Sequence, residues 1–316
     1  MGTCNYQPRR VIGVFMLAMI NVSLIASLRG IPSIAVYGLG SVFFYLLVAI
    51  TFLVPTSLIS AELATAWPGS GGIYTWVKEA FGEDWGFFSI WSQWIQNVIW
   101  FPVALSFAAS SLAYVVNPEI ARNKLYITAV ILVVFWGSVI VNTMGMKVSG
   151  SLSSAGVLAG TLFPGIILVV LGGYWLLSGK PSQIEFTAAG LIPDLSNIHT
   201  LAFAASIFLL FAGSEVSAVH SREIKNPSRN LPRAIFLGAL ITIVMFTVVT
   251  LAVAIVIPAG DIDILQGIMQ TMKHFFESFG LGWMVPLVAL MLGLGAIGQV
   301  TAWCVGPPQV IDDNCG

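Results

Sequence analysis

The residues able to handle charge in this chain are few, and they stand inside apolar runs long enough to cross a bilayer. Arg29 shares one such run with Asn21, Ser23, Ser27, Gly30 and Pro32, and Glu215 ends the segment Phe211-Ala212-Gly213-Ser214-Glu215 in another. An arginine at membrane depth costs from about 3 to more than 10 kcal/mol, so it must face protein, water or a counter-charge. Pro32 removes a backbone donor and, with Gly30, favours a break in the helix around Ile25 to Gly30. A glycine followed by an acid disturbs the second run in the same way. Unwound backbone at the midplane exposes amides that can hold a carboxylate and carbonyls that can receive an ammonium group, a pairing suited to a zwitterion. The plainer reading is that Gly213 permits close helix packing and Glu215 pairs silently with a neighbour. Ionisable residues within membrane spans are functional by default, which favours the first reading.

These residues need a membrane scaffold, and the composition supplies one. Hydrophobic residues make up 57% of 316 and charged residues 9%, with a mean hydropathy of +0.92, outside the range of soluble domains. Eight stretches reach the roughly 20 residues that a spanning helix requires: near 11–36, 39–66, 85–115, 125–144, 152–178, 200–222, 232–258 and 282–305. Their continuous apolarity excludes the alternating pattern of a β-barrel, and the first stretch reads as a retained helix rather than a signal peptide. The expected class is therefore an all-α polytopic membrane protein. Two interrupted helices five spans apart fit a five-plus-five inverted-repeat transporter. In a single transport domain over 1–316, residues 1–180 form the first repeat, 200–305 an incomplete second one and 306–316 an aberrant tail.

Lysine and arginine set the orientation. A cytoplasmic N-terminus places Arg9, Arg10, Lys78, Lys147, Arg222, Lys225, Arg229 and Arg233 inside and Arg122, Lys124, Lys180 and Lys273 outside, as the positive-inside rule prefers. Asp261 to Phe279 reads as an amphipathic helix on the outer membrane surface, with Ile264, Ile268 and Met272 on one face. The Gly-x-Gly-x-x-Gly of Gly293, Gly295 and Gly298 matches a dinucleotide fingerprint in letters only. It lies within an apolar helix, where glycines serve close helix contact. Asn21-Val22-Ser23 matches a glycosylation site but is buried in a span. Cys4, Cys304 and Cys315 have no metal spacing and no disulfide framework. The net charge of −1 suggests no nucleic-acid partner. No motif points to an enzyme, a metal or a cofactor.

The stretches Pro55 to Gly82 (PTSLISAELATAWPGSGGIYTWVKEAFG), Phe211 to Ile235 (FAGSEVSAVHSREIKNPSRNLPRAI), Ile257 to Gln270 (IPAGDIDILQGIMQ) and Ala302 to Pro307 (AWCVGP) resemble amino acid permeases of the amino acid, polyamine and organocation superfamily. The nearest resemblance is to its glutamate/GABA antiporters. It implies a LeuT-type fold with helices 1 and 6 broken, alternating access, and antiport of amino acids with proton coupling across the inner membrane. The partners implied are an amino acid, its counter-substrate and the lipid bilayer, and assembly into an oligomer stays open. The family's small-residue break in span one falls on Ile25, Ala26 and Ser27, with Gly30 following, and its span-six break on Phe211, Ala212, Gly213 and Ser214. The family glutamate falls on Glu215, a candidate for gating or proton coupling. Asn97 is a candidate polar contact from span three, with Gln299, Thr301 and Trp303 from span eight. Arg29 stands where the glutamate/GABA group has an aromatic gate. It either binds a second, acidic substrate carboxylate, pairs with Glu215, or snorkels to the interface. His220 is a candidate pH-sensitive group, Glu62 a helix-end anchor, and Glu223 to Arg233 a loop with Pro232 in the first turn of span seven. Members of the family usually have twelve spans and about eight are read here. The expectation is a C-terminally truncated permease, and the alternative to a working antiporter is a non-transporting remnant or membrane interaction protein.

Overall fold

The computed structural model describes residues 12–67, 71–193, 198–213, 215–216, 223–262 and 268–304. Among them the chain is helical, with one isolated parallel bridge between Ile12 and Ile224. Hydrocarbon offers backbone groups no water, so each N–H and C=O must bond within its own segment or to a neighbour. Seven described helices are long and apolar enough to cross a membrane: Val14–Ala35, Gly40–Ala66, Glu83–Val116, Lys124–Thr143, Met146–Leu177, Pro227–Val256 and Gly282–Trp303. The remaining expected span, 200–222, lies partly outside the described residues; within it a helix runs over Ile198–Leu210.

The first span is made of α1 (Val14–Ile25), a 3-10 turn (Leu28–Gly30) and α2 (Ile31–Ala35). The second is α3 (Gly40–Val48) and α4 (Val54–Ala66), joined by a π turn at Ala49–Leu53. Next come the short α5 (Ile73–Phe81), the long α6 (Glu83–Val116) and α7 (Lys124–Thr143). The fifth span is α8 (Met146–Val157) and α9 (Phe163–Leu177), with a π turn at Leu158–Leu162. The rest comprises α10 (Ala188–Leu191), α11 (Ile198–Leu210), α12 (Pro227–Val256), α13 (Ile268–Glu277) and α14 (Val285–Trp303). Both π turns stand just before a proline, Pro55 and Pro164. Each proline lacks the N–H that would close the preceding α turn, and the wider turn absorbs the loss without breaking the span.

The first span is the centre of the bundle: 72% of its apolar window is buried, against 6% for α7 at the edge. α1 packs on α12, α8 and α14, and α14 packs in turn on α6 and α8. α3 is held to α12 by an interhelical hydrogen bond, Tyr45 hydroxyl to Thr250 hydroxyl at 2.8 Å. The Tyr45 ring stacks on Phe246, and Phe211 at the end of α11 packs edge-on against both. Large apolar side chains such as Ile50, Leu58, Val133, Trp136 and Phe236 cover the outside, the surface a lipid-facing bundle presents.

Two local expectations change. α12 begins at Pro227, with Asn226 in the left-handed region at φ 48° and Pro232 inside the helix, so Pro232 is not in its first turn. Pro227 needs no N–H partner at the helix start, and it claims that position first. On α13, Ile268 and Met272 do share a face, yet that face is buried in protein with Met269, Phe275 and Phe276. α13 packs against α14, α2 and the Leu28–Gly30 turn; Ile264 lies outside the described residues.

Candidate functional site

The helical ladder of α1 stops at Ile25. Ala26 and Ser27 are extended, with φ/ψ of −78/116° and −136/124°, before the 3-10 turn begins. The carbonyl of Leu24, which an unbroken helix would occupy with a backbone N–H, instead accepts a hydrogen bond from the indole Nε1 of Trp303 at 3.0 Å. The end of α11 meets the same point. Gly213 has φ 127°, and a Cβ placed there would lie 3.0 Å from the Trp303 ring and 3.2 Å from the Leu24 carbonyl oxygen. The carboxylate of Glu215 accepts from the Gly213 N–H at 3.1 Å, closing the turn locally. Gly30 sits against the side chain of Leu210. Two non-helical segments and the end of α14 thus converge.

Beside this junction lies a cavity of about 330 Å³, at the lower end of the range for small-molecule sites. Its walls are Leu24, Ile25, Ser27 and Arg29 from the α1 break, Leu209, Leu210 and Ala212 from the end of α11, and Gln299 and Trp303 from α14. α6 contributes Gln96, Ile99, Trp100 and Val103, an i, i+3, i+4, i+7 stripe that a single helix face presents. Trp100 and Trp303 pack with ring centroids 5.1 Å apart. Gln299, only 7% exposed, has no hydrogen bond among the described residues, and buried amides without partners are uncommon. The arrangement offers aromatic walls, two amides, a hydroxyl and one guanidinium, which suits a small polar molecule carrying charge. A larger cavity of about 710 Å³ lies between the loop after α6 and α13. Its charges are already satisfied, Arg122 by Glu119 at 3.0 Å and Lys273 by Glu277 at 3.8 Å, and it reads as a solvated surface hollow.

The sequence profile described as amino acid permease matches residues 12–314. The chain belongs to the amino acid permease family. It is 40% identical to an uncharacterized transporter of Legionella pneumophila over 95% of this chain and 65% of that protein. It is 33% identical to a glutamate/gamma-aminobutyrate antiporter of Lactococcus lactis over 95% of this chain and 61% of that protein. With a probable agmatine/putrescine antiporter of the same species it shares 24% identity, over 86% of this chain and 57% of that one. The chain therefore spans less than two thirds of the length of these relatives.

In this permease the expected site residues separate into two groups. Ile25, Ser27, Arg29, Ala212, Gln299 and Trp303 meet around the cavity. Ala26, Gly30, Asn97, Phe211, Gly213 and Thr301 are not part of its lining, although Gly30 and Gly213 shape the junction behind it. Phe211 is directed to Tyr45 and Phe246 instead. Thr301 turns to α7, its hydroxyl donating to Ser138 at 3.2 Å and its carbonyl accepting from Asn142 at 3.1 Å. Asn97 is one residue off the α6 stripe, with its Oδ1 buried and unbonded. Ser214 and His220 lie outside the described residues, as do Cys4 and Cys315, while Cys304 is buried and free. Glu62 is exposed on α4. Gln96 and Trp100 are among the lining residues that reading the motifs does not single out; the stripe they belong to on α6 is the signal that finds them. Trp303→Phe keeps one aromatic ring but removes the five-membered ring with its Nε1 donor, leaving the Leu24 carbonyl without this hydrogen bond. The expected cost is about 1–2 kcal/mol, read as a lowered unfolding temperature in detergent; an unchanged temperature would mean that this hydrogen bond does not hold the junction.

Proposed function

We propose that this permease exchanges amino acids, of the glutamate/GABA type, with the substrate bound in the cavity between the α1 break, the end of α11, the α6 stripe and α14. The observation that carries this reading is the meeting of the extended Ala26-Ser27 segment and the turn after α11 beside a cavity lined by Arg29, Gln96 and Gln299. Family membership supports transport, and the antiporters among the relatives support exchange. In this reading the fold is the LeuT type, with residues 1–180 and 200–305 as its two repeats and access alternating by one repeat moving against the other. The substrate carboxylate lies toward the unwound Ala26-Ser27 backbone and the ammonium toward the end of α11. The distribution of lysine and arginine supports a cytoplasmic N-terminus, with the inner membrane as location.

Glu215 is the group we assign to proton coupling. It is the acid nearest the α11 break, and its bond to the Gly213 amide ties its charge to the conformation of that break. Glu215→Gln keeps a carbonyl acceptor for the Gly213 N–H and removes the titration. Exchange by the variant is expected to lose its pH dependence while the protein still folds; a pH profile identical to the unmodified one would remove Glu215 from the mechanism. Exchange itself is tested in proteoliposomes preloaded with unlabelled amino acid. Uptake of labelled amino acid that requires the internal pool is expected, and its absence from well-folded protein would favour a family member that does not transport.

A further inference from the structure

Among the described residues, the lining of the cavity carries one charge. Arg29 faces it from the 3-10 turn that follows the α1 break, and among the described residues of the lining there is no carboxylate. The guanidinium is half-buried, and no hydrogen bond or ion pair engages it among the described residues. Glu215, half-buried, is not in the lining, and its carboxylate accepts a hydrogen bond from the Gly213 N–H. Snorkelling does not describe this position, because the side chain shares its cavity with Gln299, Trp100 and Trp303. A charge withdrawn from water without a counter-ion costs several kcal/mol. A half-buried guanidinium that, among the described residues, has no counter-ion, set beside the 7% exposed Gln299, is arranged for an anion that arrives from outside the protein.

We infer that Arg29 is a specificity-determining residue that receives the side-chain carboxylate of the transported amino acid. This rests on the reading of the cavity as the amino acid site. The planar fork of an arginine pairs two N–H groups with both oxygens of a carboxylate, a bond that lysine cannot copy. Gln299 and Gln96 add neutral donors and acceptors that fix the orientation of the ligand. The same positive charge acts against the wrong ligands: an amine with a second positive group, such as a diamine or agmatine, meets a like charge. The site therefore takes an acidic amino acid over a neutral one of equal size and excludes dications.

Glutamate and glutamine differ little in shape, so their comparison isolates the charge. Binding of L-glutamate, L-glutamine and agmatine to the purified protein is measured by calorimetry, for the unmodified chain and for Arg29→Gln and Arg29→Lys. The unmodified protein should prefer glutamate to glutamine by about tenfold or more, as a charge-assisted bidentate pair implies, and should not bind agmatine. Arg29→Gln should erase that preference, bringing the glutamate and glutamine affinities to within about threefold of each other, and Arg29→Lys should retain part of it. Should Arg29→Gln fail to fold, a reduced but surviving preference in Arg29→Lys supports the assignment and an undiminished one overturns it. Binding of glutamine as tight as that of glutamate, or a preference that survives Arg29→Gln, overturns the role of Arg29 while leaving the cavity as an amino acid site. Binding of no amino acid at all removes the site itself and the inference with it.

Discussion

Gly160→Ala is expected to destabilise this protein clearly, because among the described glycines its added Cβ makes the closest approach to backbone. A Cβ at Gly160 would lie 2.2 Å from the Met291 carbonyl oxygen and 2.3 Å from the backbone N and Cα of Gly295. These are main-chain atoms, which no side-chain rotation can move aside. One turn away, a Cβ at Gly156 would lie 2.8 Å from the Cα of Gly298. The fifth and eighth spans thus cross backbone to backbone, glycine on glycine. Helices in lipid gain little from burying apolar surface and depend on such close packing for their association. Forcing the crossing apart costs about 1–3 kcal/mol by the usual measure of overpacking, and the upper end applies because backbone must move. Since α14 also carries Gln299 and Trp303, the displacement reaches the cavity. Thermal unfolding in detergent, followed by size-exclusion chromatography, should show a clear drop for Gly160→Ala and a larger one for Gly160→Val. Stability equal to that of the unmodified protein would mean that the two spans do not cross at these glycines.

Gly213→Ala should damage the site more than the fold. At φ 127° the residue occupies backbone space nearly reserved for glycine, and holding alanine there costs about 1–3 kcal/mol. The added methyl would also crowd the Trp303 ring at 3.0 Å and the Leu24 carbonyl at 3.2 Å. It strikes the very pair whose hydrogen bond closes the junction. Relaxation by moving Trp303 opens the cavity wall, and relaxation by moving α11 displaces Leu209, Leu210 and Ala212. Either route is expected to weaken ligand binding by about tenfold or more, the equivalent of roughly 1.4 kcal/mol. The comparison with Trp303→Phe is informative, because that variant loses the hydrogen bond without the backbone strain. Binding by Gly213→Ala that matches the unmodified protein would show that the turn at the end of α11 does not support the site.

The spans are legible in the sequence because long apolar runs admit few alternatives in a bilayer, and the helices found at 40–66, 124–143 and 282–303 lie within about a residue or two of those expected. The reading of Gly293, Gly295 and Gly298 as contact glycines agrees with the crossing of α14 with α8 and with Gly293 against Leu112. What the sequence conceals is the rotation of each helix. In a soluble helix the polar face marks the outside, whereas a lipid-facing side is as apolar as a buried one. α6 shows the result: Trp94 and Val98 are exposed, and nothing in the run of letters says that Gln96 rather than Asn97 faces the cavity. α13 misleads for a related reason. An apolar stripe on a short helix fits a membrane surface and a protein core equally well, and only the neighbouring turn at Leu28–Gly30 reveals which one it covers. The α12 start was shifted by the choice between two prolines, Pro227 and Pro232, either of which is suited to a first helical turn.

The cavity between α1, α6, α11 and α14 is the place where we propose that the amino acid binds. Protection of an introduced thiol tests it most directly. With Cys4, Cys304 and Cys315 replaced by serine, Ile99→Cys places a thiol on the cavity stripe of α6, and Ser178→Cys places one in the exposed turn after α9. A saturating amino acid is expected to slow modification of the thiol at 99 by a hydrophilic methanethiosulfonate and to leave the rate at 178 unchanged. Equal rates at 99 with and without amino acid, in protein shown to bind it, would place the substrate elsewhere and contradict the account.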